Sequence, residues 1–208
     1  MRKPQSVKAL EAFGRTRLSQ SFFMRDFLFS EIAAINGFSN IPDDPDLAIA
    51  AGTALCENLL EPLQARFGRI SIRSAYRAPD LNHFGNLQKL NCAANHANHA
   101  GHIWDRRDEK GNMGACACII INRAIPYFDE TGDWEALAWW VHDSLPYHSM
   151  QFFPRYAAFN LTWRERPIQQ IYSYIPPRRG WLTRPGMANH PKGHAPAYKA
   201  LLTAIDRA

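Results

Sequence analysis

Apolar residues at Leu47, Leu55, Leu59 and Leu63 recur at helical spacing in NIPDDPDLAIAAGTALCENLLEPLQARFG, which predicts a turn followed by a helix. Asp44 or Asp46 is placed to cap that helix, Pro45 suits its first turn and Gly68 stops it. The next residues, RISIRS, alternate as a strand does, with Ile70 and Ile72 on one face and Ser71 and Arg73 on the other. SAYRAPDLN carries the Pro and Asp of a turn. Residues 86–104, rich in Asn, Ala and His, have weak periodicity and read as partly helical, and 105–112 form a charged loop. GACACIII at 114–121 suits a buried strand. Asp133 caps a helix over DWEALAWWVHDSL, whose apolar stripe holds Trp134, Leu137, Trp140 and Val141. HSMQFF, AFNLTW and IQQIYSY follow as three short β-like runs, so the order predicts an α+β domain with a central antiparallel sheet flanked by helices. From Pro176 the composition shifts to Pro, Arg, Gly and His. This reads as a basic C-terminal arm ending in a helix-prone AYKALLTAIDRA.

Composition adds bounds. A chain of 208 residues, 46% hydrophobic and 21% charged, is an ordinary globule. At that size roughly 70% of the unfolded surface can be buried, so neither disulfides nor a structural metal is needed to fold. Cys56, Cys92, Cys116 and Cys118 lack CxxC spacing and read as reduced thiols, and Cys116 and Cys118 are not expected to serve one site together. The basic first twenty residues lead into no apolar stretch of signal-peptide length, and no window approaches a bilayer span. The expectation is a cytoplasmic protein with no membrane insertion. Residues 155–208 hold nine Lys/Arg against two acids, whereas residues 1–154 hold fifteen against seventeen. Such a basic tail suits an anionic cell-wall polymer or the acidic face of an assembly partner; nucleic acid is the less favoured reading, because no recognisable module accompanies the charge.

The chemistry-bearing residues begin with His96, His99 and His102, followed by Asp105. At i, i+3, i+6 on a helix these imidazoles spread around the circumference, so at most two adjacent ones share a metal. The plainer reading bonds one to a backbone carbonyl and leaves the others solvated. Arg77 offers a guanidinium fork suited to a carboxylate, or else pairs with Asp80, Asp105 or Asp108 to pin its loop. Trp104 and Asp105 either line the same cleft or, for Trp104, join the core.

A longer string ties these together: FLFSEIAA, the helix ending with Glu61, Pro62 and Leu63, a strand, then Ser74, Tyr76 and Arg77, Leu81 and Asn82, and downstream LAWWVHDSLPYH. Over residues 22–175 it resembles the zinc D-alanyl-D-alanine carboxypeptidase family, whose fold is shared with Hedgehog signalling domains and phage endolysins. The resemblance implies a Hedgehog/DD-peptidase-like domain at 22–175, between an N-terminal basic segment at 1–21 and the arm at 176–208. It also implies zinc as cofactor and a murein stem peptide, or a similar carboxylate-ended peptide, as ligand. Ser74, Tyr76, Arg77 and Asn82 would contact that ligand, with Arg77 on its carboxylate.

The family's metal site carries over with changes. A His, a Gly three residues on and an Asp four further are expected; here Gly114 is followed four residues later by Cys118 and position 111 is Gly. His102 takes the His position if residues 103–111 are an insertion, and the Cys118 thiolate is then the second zinc ligand. For the third, two alignments compete. One makes AFNLTWRE the final strand, puts Asn160 at the His position and leaves Phe153 near the place of the water-polarising acid. The other puts His148 on zinc with Asp143 as catalytic base. The first also accounts for IQQIYSY. Two functions stay open: a peptidoglycan-peptide peptidase-like domain with a degenerate ligand set, and a catalytically inactive binding or structural module of a phage-like particle or envelope-associated assembly.

Overall fold

A computed structural model describes residues 1–207. In chain order the helices are α1 (Val7–Gly14), α2 (Glu31–Asn36), α3 (Pro45–Leu55), α4 (Glu61–Phe67), α5 (Pro79–Leu87), α6 (Asn95–Asn98), α7 (Ile125–Thr131), α8 (Glu135–Ser144) and α9 (Ala195–Arg207). The strands are β1 (Ile70–Ser74), β2 (Gly114–Ile121), β3 (Ser149–Phe152), β4 (Phe159–Arg164), β5 (Gln170–Ser173) and β6 (Gly180–Thr183). Asp44 caps α3 by accepting from the Leu47 N–H at 3.1 Å, with Pro45 in the first turn. A wide turn at Cys56–Leu60 joins α3 to α4 without a break, and Gly68, at φ +77°, ends the rod. Asp133 caps α8 through the Ala136 N–H at 3.1 Å.

The strands form one sheet in the order β1-β2-β4-β3-β5-β6. The domain is α+β, but the sheet is mixed: β3 and β5 run parallel. A long connection through β4 separates them, so hairpin logic does not apply to that pair. One face carries Ala115, Ala117, Ile119, Ile121, Met150, Phe152, Phe159, Leu161 and Ile171 into the core, where α3 packs on β2 and β4. By strand alternation Cys116, Cys118, Ser149, Gln151, Asn160 and Thr162 share the opposite face.

Both termini belong to the fold. Phe13 and Leu18 enter the core from the N-terminal segment. The stretch after Pro176 is more than an arm: it contributes β6 to the sheet edge and α9, which buries Leu201 and Ile205 against α8. The short β6 was hidden by the Pro and Gly around it. No described helix is long and apolar enough to cross a membrane.

Candidate functional site

His102 is placed by a tightly stitched loop after α6. The Gly101 carbonyl accepts from the Cys116 N–H at 2.9 Å, Trp104 Nε1 donates to the Cys116 carbonyl at 3.1 Å, and the His102 carbonyl accepts from the Arg77 N–H at 2.8 Å. Close approach depends on Gly114, where a Cβ would lie 2.5 Å from the Ala100 carbonyl oxygen and 2.8 Å from that of Trp163. The loop therefore lies flat across β2 and against the turn after β1. His102 is 6% exposed, and its Nδ1 donates to the Ala75 carbonyl at 2.7 Å. Burial, with Arg77 adding to it, pushes its pKa down to about 3, so the ring is neutral and Nε2 carries a lone pair beside Asn160.

Across the sheet Cys118 on β2 pairs with Asn160 on β4, which pairs with Gln151 on β3. Asn160 Nδ2 donates to Gln151 Oε1 at 3.0 Å. A bulge in β1 sets Arg73 and Ser74 together against Cys118. Burial raises the Cys118 thiol pKa, although the Arg73 and Arg77 charges oppose the shift. Burial likewise pushes Cys116 up to about 12 against a hydrogen bond to Thr162. Both sulfurs stay protonated at neutral pH. The expectation that Cys116 and Cys118 cannot serve one site fails, because residues two apart on a strand share a face.

Arg77 donates to Cys92 Sγ at 3.3 Å. Among the described residues no carboxylate pairs with Arg77 or Arg73. Asp105 instead pairs with Arg106 and caps the start of α3 through the Asp43 N–H at 2.7 Å, while Asp108 pairs with Arg164. The loop-pinning reading of Arg77 is thereby replaced by an unpaired, half-buried guanidinium beside His102 and the thiols.

Other predicted site residues lie elsewhere. Tyr76 is fully buried against Trp104, itself core, with ring centroids 6.2 Å apart; burial and the nearby Asp105 charge hold its phenol far above the ordinary range. Asn82 is fully buried and spends its side chain on the Ala93 carbonyl, Asn95 and Asn98 at 2.8–2.9 Å. Neither faces a ligand, which leaves Ser74 and Arg77 from that set. His96 is exposed, and α6 ends at Asn98, so the three imidazoles do not share a helix.

His148 precedes β3, three residues or ~10 Å along the strand from Gln151, with Arg164 and Asp108 as its charged neighbours. Asp143 is engaged by the C-terminal stretch: it accepts from the His194 N–H at 2.7 Å, the Gly193 N–H at 3.2 Å, His194 Nδ1 at 2.9 Å and the Tyr198 hydroxyl at 3.3 Å. It anchors α9 and is not a base for the His102 site. An apolar cavity of about 640 Å³ lies between α1 and α2, and Asn40 in its wall donates to the Tyr76 carbonyl and accepts from the Ala78 N–H on either side of Arg77.

As a zinc ligand His102 Nε2 is well prepared, its Nδ1 fixed by a carbonyl. The remaining groups near it are the Cys116 and Cys118 thiols, two carboxamides, the Ser74 hydroxyl and two guanidiniums. Among the described residues no three His, Cys, Asp or Glu side chains are grouped to hold a metal ion, so His102, Cys118 and His148 are not brought together. Two arginines without an acidic partner, two carboxamides and the Ser74 hydroxyl near His102 are donors that suit an anion, although Arg77 also donates to Cys92 Sγ and Arg73 to Cys118.

In comparison with known proteins the chain matches no protein-family model, no curated protein and no solved structure.

Proposed function

We propose that this protein is a non-hydrolytic recognition domain of peptidase-like, Hedgehog/DD-peptidase-type architecture that binds a peptide through its terminal carboxylate, a murein stem peptide being the ligand the resemblance names. Arg77 carries this reading. It is a half-buried guanidinium with no acidic partner, on the turn after β1, near the buried neutral imidazole of His102 and bonded to Cys92 Sγ. Arg77 takes the carboxylate as a two-pronged donor, with Arg73 adding charge, and Ser74, Asn160 and Gln151 offer hydrogen bonds to the preceding peptide groups. Hydrolysis needs a polarised water and a general base. On the alignment that makes AFNLTWRE a strand, Asn160 stands at the third ligand position and Phe153 near the place of the water-polarising acid, and neither side chain takes a proton.

The test is to incubate the protein, with and without zinc, with an N-acetyl pentapeptide ending in D-Ala-D-Ala, and to follow both retention of the peptide and its mass. The expected result is retention of the intact peptide in either condition, lost in Arg77→Ala. Shortening of the peptide in the presence of zinc would overturn the non-hydrolytic reading, and equal retention by Arg77→Ala would overturn the role of Arg77.

A further inference from the structure

α1 rests on the turn at Met24–Phe27 and α2 on α5, which leaves the space between the two helices to the cavity of about 640 Å³. Its floor is continuous with the core: Leu10, Leu28 and Phe38 are half-buried against the main apolar cluster, and Ala33 is buried in it. The rim is apolar as well. Val7 and Phe29 line it and stand 86% and 65% exposed. Large apolar side chains left in water around a trough of this size have the character of a small-molecule pocket, whose volume runs from about 300 to 1,000 Å³.

The charged groups of the lining say which small molecule. Arg25 belongs to it, and its stem lies against the end of α1: Arg25 Cβ is 3.3 Å from where a Gly14 Cβ would stand, and Nε donates to the Gly14 carbonyl at 3.4 Å. The two Nη groups are uncommitted, since among the described residues neither has an acceptor and no carboxylate pairs with Arg25. The nearby acids are spent elsewhere. Glu11, also in the lining, is paired with Arg15, and Asp26 accepts from the Phe23 N–H at 2.8 Å. Asn40 is spent too, on the Leu28 and Tyr76 carbonyls and the Ala78 N–H. What remains is an aliphatic trough with one unanswered positive charge at its edge.

We propose that the cavity between α1 and α2 is a binding site for an aliphatic monocarboxylate of fatty-acid type, with its chain between Leu10, Leu28 and Phe38 and its carboxylate on Arg25. Each buried methylene adds affinity, and the guanidinium fork fixes which end of the ligand faces water. A neutral chain leaves Arg25 unpaired beside apolar surface, and a cationic one is repelled. A protein helix fits less well. With eight residues α1 is only ~12 Å long, a wall too short to bury the area that a stable protein complex needs. The site does not depend on the peptide reading of Arg77, but Arg77 is a second guanidinium open to the same carboxylate, so the variants separate the two.

The experiment is calorimetry on the full chain with decanoate, decan-1-ol and decylamine, each kept below the concentration at which it aggregates. The expected result is about tenfold tighter binding of decanoate than of decanol and no binding of decylamine. That tenfold advantage falls to one in Arg25→Gln and is unchanged in Arg77→Ala. Ala34 lines the trough from an exposed position on α2, so Ala34→Trp fills the space and abolishes binding of decanoate and decanol alike, with melting temperature confirming that the variant is folded. Equal affinity for decanoate and decanol overturns the proposal, as does decanoate binding that is lost in Arg77→Ala and kept in Arg25→Gln. Absence of decanoate binding overturns it as well, whether the trough then proves to hold a second copy, seen as self-association lost in Phe29→Ala, or an anionic vesicle surface.

Discussion

Asn160 on β4 and Gln151 on β3 are joined side chain to side chain, Nδ2 to Oε1, at 3.0 Å on the face of the sheet opposite the core. Two carboxamides satisfying one another are poor competition for a hydration shell around a divalent ion, and the arginines beside them repel it. Excess zinc is therefore expected to leave the melting temperature of the wild-type protein unchanged. The double variant Cys118→Asp/Asn160→His, which sets a carboxylate and a second imidazole beside His102, is expected to gain zinc-dependent stabilisation of about 2.7 kcal/mol at a hundredfold excess over its Kd. Stabilisation of the wild type by zinc would show that the donors present do suffice.

Gly114 lets the His102 loop rest on the sheet. Gly114→Ala is expected to cost about 1–3 kcal/mol in urea unfolding, because its Cβ meets two backbone oxygens that cannot rotate away. Peptide affinity should fall with it, since His102 and the Arg77 turn share that loop's hydrogen bonds. A wild-type denaturation midpoint would contradict the close approach.

Three buried imidazoles shape the pH dependence of stability. Burial lowers the folded-state pKa of His102 to about 3 and of His148 to about 4, and His142 is lowered in the same direction. The unfolded chain takes up these protons near pH 6.5 and the folded one does not, so stability is full above about 6.5 and falls as pH drops toward 4. Each fully buried imidazole contributes about 2 kcal/mol of loss between pH 7 and pH 5. His102→Gln is expected to flatten that slope measurably; an unchanged slope would mean that His102 is protonated in the folded state.

Asp143 tests whether the C-terminal stretch is part of the domain. Asp143→Ala removes the acceptor for the Gly193 and His194 backbone N–H groups, the His194 ring and the Tyr198 hydroxyl. A loss of about 2 kcal/mol is expected, together with faster hydrogen exchange in residues 190–198 and unaltered peptide binding. Loss of binding at wild-type stability would return Asp143 to the site.

Much of the fold was legible in local pattern. Asp44, Pro45 and Gly68 bracket the long helix as capping chemistry requires, Asp133 caps α8, and GACACIII is β2 to the residue. What pattern could not supply was pairing over distance. The parallel β3–β5 contact and the recruitment of β6 depend on which edge is free once β4 has inserted. In the site, taking AFNLTWRE as a strand put Asn160 at the family's His position, but that it lies opposite Cys118 comes from the register alone. The burial of Tyr76 and Asn82 did not follow, because a polar residue that ends in an internal hydrogen-bond network looks in sequence like one that meets a ligand. Tyr172 and Trp181 were visible only as scattered aromatics in a basic stretch; register alone puts them in line with Gln151.

The central claim is that Arg77 recognises a terminal carboxylate without a metal. Calorimetric titration of the full chain in chelator, using the same N-acetyl pentapeptide as free acid and as C-terminal amide, isolates that one contact. The account predicts that the free acid binds at least tenfold more tightly than the amide, and that Arg77→Ala erases the difference while Arg77→Lys keeps part of it. Equal affinity for acid and amide, or binding that appears only when zinc is restored, would contradict it.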